Sequence, residues 1–299
     1  MKATSRPARL PQWLRLSLPR GRRFARTEGR LDALRLHTVC ESARCPNRWE
    51  CWSHGTATFM IAGDRCTRAC GFCAVTTAKP LPLDPDEPKR VAEAARRMAL
   101  KHVVVTSVAR DDLADGGAEH FARTIRELRA ACGEDLKVEV LTPDFGGERA
   151  PVGVVLAARP DVFNHNIETV RRLTPKVRHR ATYERTLAVL RMAGERTAQV
   201  AGGRRVYVKS GLMLGHGETE AEVLETMRDL RQSGCELLTI GQYLQPTPAN
   251  LPVTEFVRPE VFTALRRTGR EMGFLDVASA PLVRSSYHAE DLLWKAGKQ

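Results

Sequence analysis

The stretch TATFMIAGDRCTRACGFCAV, residues 56–75, joins a short apolar run to three closely spaced cysteines. The run over residues 56–63 predicts a buried strand that ends just before the cysteines. Cys66, Cys70 and Cys73, the loop triplet, have the spacing CxxxCxxC. Because a [4Fe–4S] cluster has four irons and thiolate is their usual protein ligand, three cysteines leave one iron for another partner. The stretch therefore predicts an iron–sulfur site at the end of the first strand.

Three further cysteines lie upstream, within LHTVCESARCPNRWECW at residues 36–52. Cys40, Cys45 and Cys51, the N-terminal triplet, have the spacing CxxxxCxxxxxC and predict a second cluster with one iron left for another partner. Structural zinc is disfavoured, since zinc sites usually assemble four ligands from short CxxC or Cys/His spacings. A disulfide framework is also disfavoured, because 299 residues bury an ample core without cross-links.

Strand and helix patterns alternate along the rest of the chain. Apolar, β-branched runs predict six strands, over 56–63, 102–108, 136–142, 161–167, 205–214 and 236–244. Helical patterns predict helices over 86–100, 117–132, 148–158, 182–195, 218–233 and 259–273. Buried strands that alternate with helices are typical of a parallel sheet with right-handed crossovers. Because six units are too few for an eightfold barrel, we expect an α/β fold, a partial TIM-like (β/α)6 barrel, with its chemistry at the C-terminal ends of the strands.

The predicted organisation has three parts, and positive charge is concentrated in the first. We expect a basic extension with the N-terminal triplet at residues 1–55, the barrel at 56–280 and a short tail at 281–299. The net charge is +12, and residues 1–30 contain nine Lys or Arg against one acid, Glu28. Without a nucleic-acid motif and with 6% aromatic residues, we expect no nucleic-acid partner. No apolar run approaches the about 18 residues of a membrane helix, so we expect no membrane partner. Nothing resembles a secretory signal, so we expect a cytoplasmic protein, with a mitochondrial transit peptide as the alternative.

Seven motifs span most of the chain: LHTVCESARCPN, GTATFMIAGDRCTRACGFCAV, VLTPDFGG, FNHNIETV, KSGLMLG, IGQYLQPT and VRSSYHA. In this order they resemble the motifs of lipoyl synthases. The loop triplet, with the aromatic Phe72 before its last cysteine, resembles the signature of the radical S-adenosylmethionine superfamily to which lipoyl synthases belong. The resemblance runs from about Leu10 to Glu290, and PQWLRLSLPRG resembles the family's own N-terminus, which argues against a transit peptide.

The resemblance implies an activity that the residues can support. Lipoyl synthases insert two sulfur atoms, at carbons 6 and 8, into an octanoyl chain on a lysine of a carrier protein. Those carbons carry no acidic proton and the sequence shows no evident nucleophile–base pair, so hydrogen-atom abstraction by a cofactor-derived radical is the remaining route. The implied cofactors are two [4Fe–4S] clusters and S-adenosylmethionine. The loop triplet would hold the cluster that binds S-adenosylmethionine, and the N-terminal triplet an auxiliary cluster consumed as the sulfur source.

The resemblance also implies further site residues. The fourth ligand of the auxiliary cluster would be a serine of the RSSY motif, for which we favour Ser286 over Ser285. Four residues would contact S-adenosylmethionine: Phe72 beside the adenine, Asn166 and Glu168 on the ribose hydroxyls, and Arg180 on the methionine carboxylate. Two positions stay open. Lys209 is either a pocket charge or one end of a buried pair, and His165 either packs its ring or contacts substrate.

Partners follow from the same resemblance. The substrate would be an octanoylated lipoyl carrier domain, either of a 2-oxoacid dehydrogenase E2 or the glycine cleavage H protein. An electron donor such as ferredoxin or flavodoxin and a cluster-assembly carrier are also expected. Lipoyl domains are generally acidic, so the basic extension would raise the encounter rate. Three other functions remain open: a radical enzyme with another substrate, a two-cluster electron-transfer protein, and a basic zinc protein that binds nucleic acid.

A few positions depart from the family pattern. Ala109 stands where an acidic residue is expected, His216 replaces an aliphatic residue in GHGE, and Arg171 stands where the family often has proline. None of these positions is expected to touch the cysteines or the RSSY motif, so the reaction class is unaffected. The two cysteines outside the triplets, Cys132 and Cys235, are expected to pack in the core.

Overall fold

An eight-stranded sheet forms the centre of the fold. The computed structural model describes residues 10–15, 23–54, 56–198, 205–287 and 289. The strands are β1 (His37–Thr38), β2 (Thr58–Ile61), β3 (Arg65–Cys66), β4 (Thr76–Thr77), β5 (His102–Ser107), β6 (Lys137–Leu141), β7 (Val162–Asn164), β8 (Tyr207–Leu214), β9 (Leu237–Gln242) and β10 (Asp276–Ser279). The main sheet has the order β1-β2-β5-β6-β7-β8-β9-β10, while β3 and β4 pair separately.

Helices connect the strands. The helices are α1 (Arg23–Ala33), α2 (Val39–Ser42), α3 (Arg48–Ser53), α4 (Glu87–Arg97), α5 (Ala118–Cys132), α6 (Arg149–Ala157), α7 (Thr174–Val177), α8 (Tyr183–Ala198), α9 (Glu220–Gln232) and α10 (Pro259–Glu271). Short 3₁₀ turns lie at Gln12–Leu14, Phe145–Gly147 and Arg171–Leu173. The six long helices that follow strands match the six predicted ones within a few residues. No described helix is long and apolar enough to cross a membrane.

The six predicted strands are confirmed as β2, β5, β6, β7, β8 and β9, and each pairs in parallel with its neighbour in sequence. Two edge strands were not predicted from the sequence. One is β10, which adds a seventh parallel strand beside β9, and the other is β1, which runs antiparallel to β2. Both are short, and Asp276–Ser279 holds only two apolar residues, so neither has the long apolar run that marks a buried strand. Because β1 comes from the predicted N-terminal extension, that part of the chain contributes to the sheet; the three-part division itself stays a prediction.

Alternation along the strands gives the barrel an apolar outer layer and a polar interior. On β6, Val138 and Val140 belong to the apolar core under the helices, whereas the buried Glu139 between them faces the opposite side of the sheet. On α5, the side chains of Phe121, Ile125 and Leu128 are buried in the same core. Cys235 is fully buried and Cys132 packs against the core, as expected. The interior of the barrel therefore accommodates charged and hydrogen-bonding side chains.

Candidate metal centres and cofactor site

Main-chain bonds from the barrel brace the loop triplet near the C-terminal ends of the strands. The triplet begins at Cys66, the last residue of β3. The Gly71 N–H donates to the Val177 carbonyl at 2.9 Å, and the Gly71 carbonyl accepts from the Leu251 N–H at 2.9 Å. The Asn250 amide also donates to the Cys73 carbonyl at 2.8 Å. The loop is thus held on both sides by segments that follow later strands.

Two main-chain N–H groups point at a sulfur of the loop triplet. The N–H of Arg68 lies 3.4 Å from the Cys66 sulfur, and the N–H of Ala109 lies 3.3 Å from it. Hydrogen bonds to thiolate sulfur stabilise its negative charge and tune a bound cluster. The expectation that Ala109 stays clear of the cysteines is therefore wrong, because its contact is made by the backbone. The Ala109 side chain, which departs from the family pattern, takes no part in this contact.

An ion network fixes the same loop from the other side. The Arg68 guanidinium lies 2.6 Å from a carboxylate oxygen of Asp111 and 2.6 Å from one of Asp144. Asp144 belongs to the VLTPDFGG motif and is fully buried. Burial alone raises the pKa of the Asp144 carboxyl, but hydrogen bonding and charge from Arg68 lower it to about 2. Both partners are therefore charged, and the network ties the loop triplet to the strand ends after β5 and β6.

The N-terminal triplet lies on a short helical segment beside β2. Cys40 is in α2, whose first turn is capped by the Thr38 hydroxyl accepting from the Glu41 N–H. The Cys45 N–H donates to the Cys40 carbonyl at 3.0 Å, and Cys51 follows on α3. These local bonds bring the three cysteines, which span twelve positions of sequence, close enough for their charges to interact.

The thiols of each triplet interact with one another. Burial raises the pKa of Cys40 to about 11, and the charge of Cys45 makes a smaller contribution in the same direction. Burial and the charges of Cys40 and Cys45 raise the pKa of Cys51 to about 12. In the loop triplet, burial and the charges of the other two thiols raise the pKa of Cys73 to about 12. If all three thiols of a set lose their protons, the resulting thiolates repel one another. Bound iron supplies the positive charge that compensates for this repulsion.

The donor sets fit iron–sulfur clusters chemically. All eight cysteines are free thiols. Within the described ranges, no three His, Cys, Asp or Glu side chains are placed as ligands of a single metal ion. A cube of four irons needs more widely spread thiolates than a single ion does, and three thiolates per set match three of its irons. The residues present therefore suit two clusters, and each set needs one ligand from elsewhere.

The C-terminal RSSY segment lies against the N-terminal triplet. The Thr58 hydroxyl donates to the Ser286 hydroxyl at 2.8 Å, and the Thr58 main-chain N–H faces the Cys40 sulfur and lowers its pKa. The charge of Arg284 lowers the pKa of Cys45, although burial raises it overall. The Tyr287 hydroxyl donates to Glu50 at 2.9 Å. A single residue, Thr58, therefore contacts both Ser286 and Cys40, the first cysteine of this triplet.

The other serine of the motif lies deeper, inside the barrel. The Ser285 hydroxyl accepts from the Asn166 amide at 2.7 Å. The Ser285 carbonyl accepts from the Lys209 ammonium at 2.7 Å, and Lys209 also donates to both carboxylate oxygens of Glu139, at 2.8 and 3.0 Å. The open question about Lys209 is answered: it is one end of a buried ion pair.

Two residues predicted to contact S-adenosylmethionine lie beside the loop triplet. The Glu168 carboxyl interacts electrostatically with Cys70 and Cys73, and burial raises its pKa. Glu168 has a φ of +68°, an uncommon backbone conformation for a residue with a side chain, and two main-chain bonds to Gly211 and Met213 of β8 hold it there. The Asn166 amide donates to Glu168 at 3.1 Å. A third predicted residue, Phe72, packs half-buried against the core within the loop triplet itself.

The fourth predicted residue, Arg180, is more exposed than the other three. The Arg180 side chain is 57% exposed and lies 3.5 Å from Asp111. Arg178, two positions earlier, is buried instead; it donates to the Asn166 carbonyl and interacts with the charges of Glu168 and Cys70. Sequence reasoning missed Arg178 because the spacing in KVRHR gives no sign of which arginine faces inward.

The two histidines that were singled out have packing roles. His165 is buried, with its Nδ1 2.8 Å from the Thr142 carbonyl, and burial together with the Arg178 charge lowers its pKa to about 3. It is therefore a neutral ring in the core. His216 stacks on Tyr243 with ring centroids 4.2 Å apart, and burial lowers its pKa to about 4. Arg171 is the third residue that departs from the family pattern. Its guanidinium lies over the Tyr183 ring, and it is distant in sequence from both cysteine triplets.

Comparison with known proteins gives the family. The Radical SAM superfamily profile matches residues 60–230, and the profile of the N-terminal domain of lipoyl synthase of the Radical SAM family matches residues 1–45. The lipoyl synthase of Thermus thermophilus is 54% identical over 288 residues, which cover 96% of this chain and 87% of the relative. The lipoyl synthase of Anaeromyxobacter sp. (strain Fw109-5) is 55% identical, over 95% of each chain. The chain belongs to the lipoyl synthase family.

Solved structures agree on the fold of this lipoyl synthase. A methylornithine synthase superposes with a TM-score of 0.54 at 15% identity, over 69% of this chain and 60% of that chain. A maturase of the [FeFe]-hydrogenase superposes with a TM-score of 0.52 at 16% identity, over 72% of this chain and 50% of that chain. At such identities the likeness concerns the fold alone. The partial α/β barrel expected from the sequence is confirmed.

Membership of the lipoyl synthase family confirms further expectations. The chain is a radical S-adenosylmethionine sulfurtransferase that uses a [4Fe–4S] cluster and S-adenosylmethionine, and its substrate is an octanoylated carrier. The second cluster, the roles of individual residues and the identity of the protein partners stay predictions.

Proposed function

We propose that this lipoyl synthase holds a [4Fe–4S] cluster at each triplet and inserts sulfur at carbons 6 and 8 of an octanoyl chain on a carrier lysine. The observation that carries the proposal is the position of Ser286, whose hydroxyl bonds to Thr58 beside Cys40. A serine oxygen next to a set of three thiols supports a four-ligand site for an auxiliary cluster. The set made of Cys66, Cys70 and Cys73 is then left for the cluster that binds S-adenosylmethionine.

The proposed roles of the pocket residues follow from their charge and burial. The clusters and S-adenosylmethionine, when bound, supply the carbon radical for hydrogen abstraction and the sulfur that is inserted. Arg178 is buried beside Cys70 and Glu168, and we assign it, rather than the exposed Arg180, to pair with the methionine carboxylate. The Glu168 carboxylate and the Asn166 amide oxygen, which has no partner within the described residues, would accept hydrogen bonds from the ribose hydroxyls, and Phe72 would pack at the adenine.

A matched pair of variants tests the arginine assignment. R178Q is expected to weaken binding of S-adenosylmethionine to the protein reconstituted at the loop triplet by about tenfold or more, because a charged bidentate partner is lost. R180Q is expected to bind within about twofold of the wild type, since an exposed ion pair contributes little. Equilibrium dialysis gives both constants, with equal iron content as the control for an intact cluster. Loss of affinity in R180Q alone would reverse the assignment.

The proposed partners follow from charge and chemistry. The substrate is an octanoylated lipoyl domain of a 2-oxoacid dehydrogenase E2 or the glycine cleavage H protein, and a basic surface on a chain of net charge +12 steers it. Ferredoxin or flavodoxin supplies electrons, a cluster-assembly carrier rebuilds the auxiliary cluster, and a reducing compartment such as the cytoplasm keeps the six thiols competent. The association rate with an acidic lipoyl domain should fall steeply as salt is raised; a rate that ignores ionic strength contradicts the steering.

The reaction itself is tested on a defined peptide. The anaerobically reconstituted protein is incubated with reductant, S-adenosylmethionine and an octanoyl-lysine peptide from a lipoyl domain, and mass spectrometry follows the peptide. A gain of two sulfurs with loss of hydrogen is the expected result. The same peptide with an unmodified lysine is the control. Cleavage of S-adenosylmethionine without any change in the octanoyl peptide would retain the radical class and reject the substrate.

A further inference from the structure

We propose that the buried pair of Glu139 and Lys209 is a positioning device, which fixes the C-terminal segment so that Ser286 meets the auxiliary cluster. Both side chains are 1% exposed. An ammonium group has three N–H donors, and all three of Lys209 are used: two on the Glu139 carboxylate and one, at 2.7 Å, on the Ser285 carbonyl. No donor is left for substrate, so this lysine acts on the protein's own C-terminal segment.

The contact continues from Ser285 to the N-terminal triplet in two short steps. The Ser285 carbonyl, held by Lys209, is the main-chain group immediately before the Ser286 nitrogen. The Ser286 hydroxyl bonds to Thr58 at 2.8 Å, and the Thr58 N–H faces Cys40. Fixing the Ser285 carbonyl therefore limits the rotation that would carry the Ser286 hydroxyl away from the triplet.

The surroundings of the pair show that it is anchored on the barrel side. Asn164 of β7 donates to Glu139 at 2.9 Å, and His102 of β5 lies 3.8 Å from the same carboxylate. Glu139 and Lys209 themselves come from β6 and β8, so four strands converge on the pair. On the other side, Asn166 holds the Ser285 hydroxyl at 2.7 Å. The barrel thus holds both the hydroxyl and the carbonyl of Ser285.

Energetics favour a positioning role over a stabilising one. Removing two charges from water costs several kcal/mol per ion, and apolar pairs of similar volume commonly replace buried ion pairs at no loss of stability. What an apolar pair cannot supply is a donor for the Ser285 carbonyl. The expected consequence of losing the pair is therefore a misplaced Ser286 in a folded protein.

The inference rests on the proposed function, because it assumes that Ser286 binds the auxiliary cluster. The test uses the full chain with C66A, C70A and C73A, so that the only cluster bound is at the N-terminal triplet. Two double variants without buried charge are compared in this background. E139L/K209M removes the donor to the Ser285 carbonyl, whereas E139Q/K209Q keeps an amide donor there. The readouts are the electron paramagnetic resonance spectrum of the reduced cluster and the rate at which a chelator removes its iron.

We expect E139L/K209M to reproduce the spectrum of S286A and to lose iron about 10- to 100-fold faster than the wild type, the usual effect of removing a group that orients a ligand. E139Q/K209Q should stay close to the wild type. The control R129M breaks a different ion pair, with Asp161 at 2.7 Å, and should leave the spectrum unchanged. If the apolar double variant does not fold, E139Q/K209M, which keeps a polar partner for Asn164 but removes the donor, gives the same comparison.

The outcomes separate the two claims. A wild-type spectrum in E139L/K209M, with a changed spectrum in S286A, overturns the positioning role and leaves Ser286 as a ligand. An unchanged spectrum in S286A overturns the ligand assignment of the proposed function and the positioning role with it. Equal effects in the two double variants show that loss of the ion pair, and not loss of the donor to the Ser285 carbonyl, decides the result, which also overturns the inference.

Discussion

The two cysteine triplets differ in what holds them. Main-chain bonds from the barrel brace the loop triplet, through the Val177 carbonyl and the Leu251 N–H on Gly71. Side chains close the N-terminal triplet against residues from the far end of the sequence: Asn47 donates to the Leu282 carbonyl at 2.7 Å, and Tyr287 donates to Glu50. One set is built into the fold, and the other is covered by a segment that docks on it.

This difference suits the two proposed fates of the clusters. A cluster that activates S-adenosylmethionine in every cycle is best held in a fixed loop. A cluster that gives up its sulfur must be rebuilt, and a cover held by a few hydrogen bonds can open at a cost of about 0.5–1.5 kcal/mol per bond. Under the proposed function, the same donor type, three thiols, serves a permanent and an exchangeable site, and the surroundings make the difference.

The largest expected effect separates the triplets by function. C70A should reduce cleavage of S-adenosylmethionine to background, and sulfur insertion with it, because one of three thiolate ligands is lost. C45A should keep the cleavage and lose only the sulfur insertion. Chromatography of 5′-deoxyadenosine and mass spectrometry of the peptide measure the two steps, with C132A, which changes a core thiol, as the control. Loss of cleavage in C45A would show that the two sites are not independent.

The second effect concerns the cover. Deletion of residues 284–299 should speed loss of iron from the cluster at the N-terminal triplet by about 10- to 100-fold, because Ser286 and its neighbours no longer cover it. The cluster at the loop triplet should keep its iron. Each rate is measured with a chelator in a protein whose other triplet is changed to alanine. Equal loss from both sites would remove the distinction drawn between them.

The third effect is a pH dependence built into the brace of the loop triplet. His216 stacks on Tyr243, whose hydroxyl donates to the Leu251 carbonyl next to Gly71. Burial, aided by the charge of Lys176, lowers the pKa of His216 to about 4 from its usual 6.5. Between these values the unfolded chain binds a proton that the folded chain refuses. The free energy of unfolding should therefore fall as pH drops below 6.5, by about 1.4 kcal/mol per pH unit for this group.

H216L isolates that contribution. The variant has the aliphatic residue that the family pattern places in this loop, so it should remain folded and lose one titrating group. Its unfolding free energy, measured by urea titration of the metal-free protein from pH 7 to pH 5, should decline less steeply than that of the wild type. Parallel pH profiles for the two proteins would rule out His216 as the source.

The smallest expected effect comes from removing one threonine hydroxyl near each triplet. T58V removes the bond to Ser286 and should cost about 1 kcal/mol of unfolding free energy, the usual contribution of a hydrogen bond. It should also speed iron loss from the N-terminal triplet. T67V removes a comparable bond, to Asp111 at 2.8 Å beside the loop triplet, and should leave the N-terminal cluster as it is. Identical iron-loss rates in the two variants would contradict a role for Thr58.

The sequence predicts much of this molecule because its main elements are strongly patterned. Long β-branched runs predicted all six central strands, and cysteine spacing alone separated two sets of thiols. The strand Asp276–Ser279 escaped prediction because four residues with a charged start carry no buried-strand pattern. Its place at the sheet edge depends on pairing with β9, a contact that the four residues themselves do not encode.

The direction of individual side chains could not be predicted from the sequence. Arg178 and Arg180 are two positions apart, and only the fold decides that the first is buried and the second lies on Asp111. Ala109 reaches Cys66 through its backbone, which no substitution pattern records. The roles of Lys209 and Ser285 depend on contacts across 76 positions of sequence. Such contacts follow from the topology of the barrel, and local sequence carries no trace of them.

The distance along the chain between Thr58 and Ser286, 228 positions, has a consequence for synthesis. A ribosome makes the residues that cover the N-terminal triplet about 10–50 seconds after the triplet itself, at usual rates of elongation. During that interval the thiols of the triplet face solvent without their cover. If the triplet holds the proposed auxiliary cluster, its cover forms late in the synthesis of each chain, and delivery of the first cluster and of every later replacement can use the same open state.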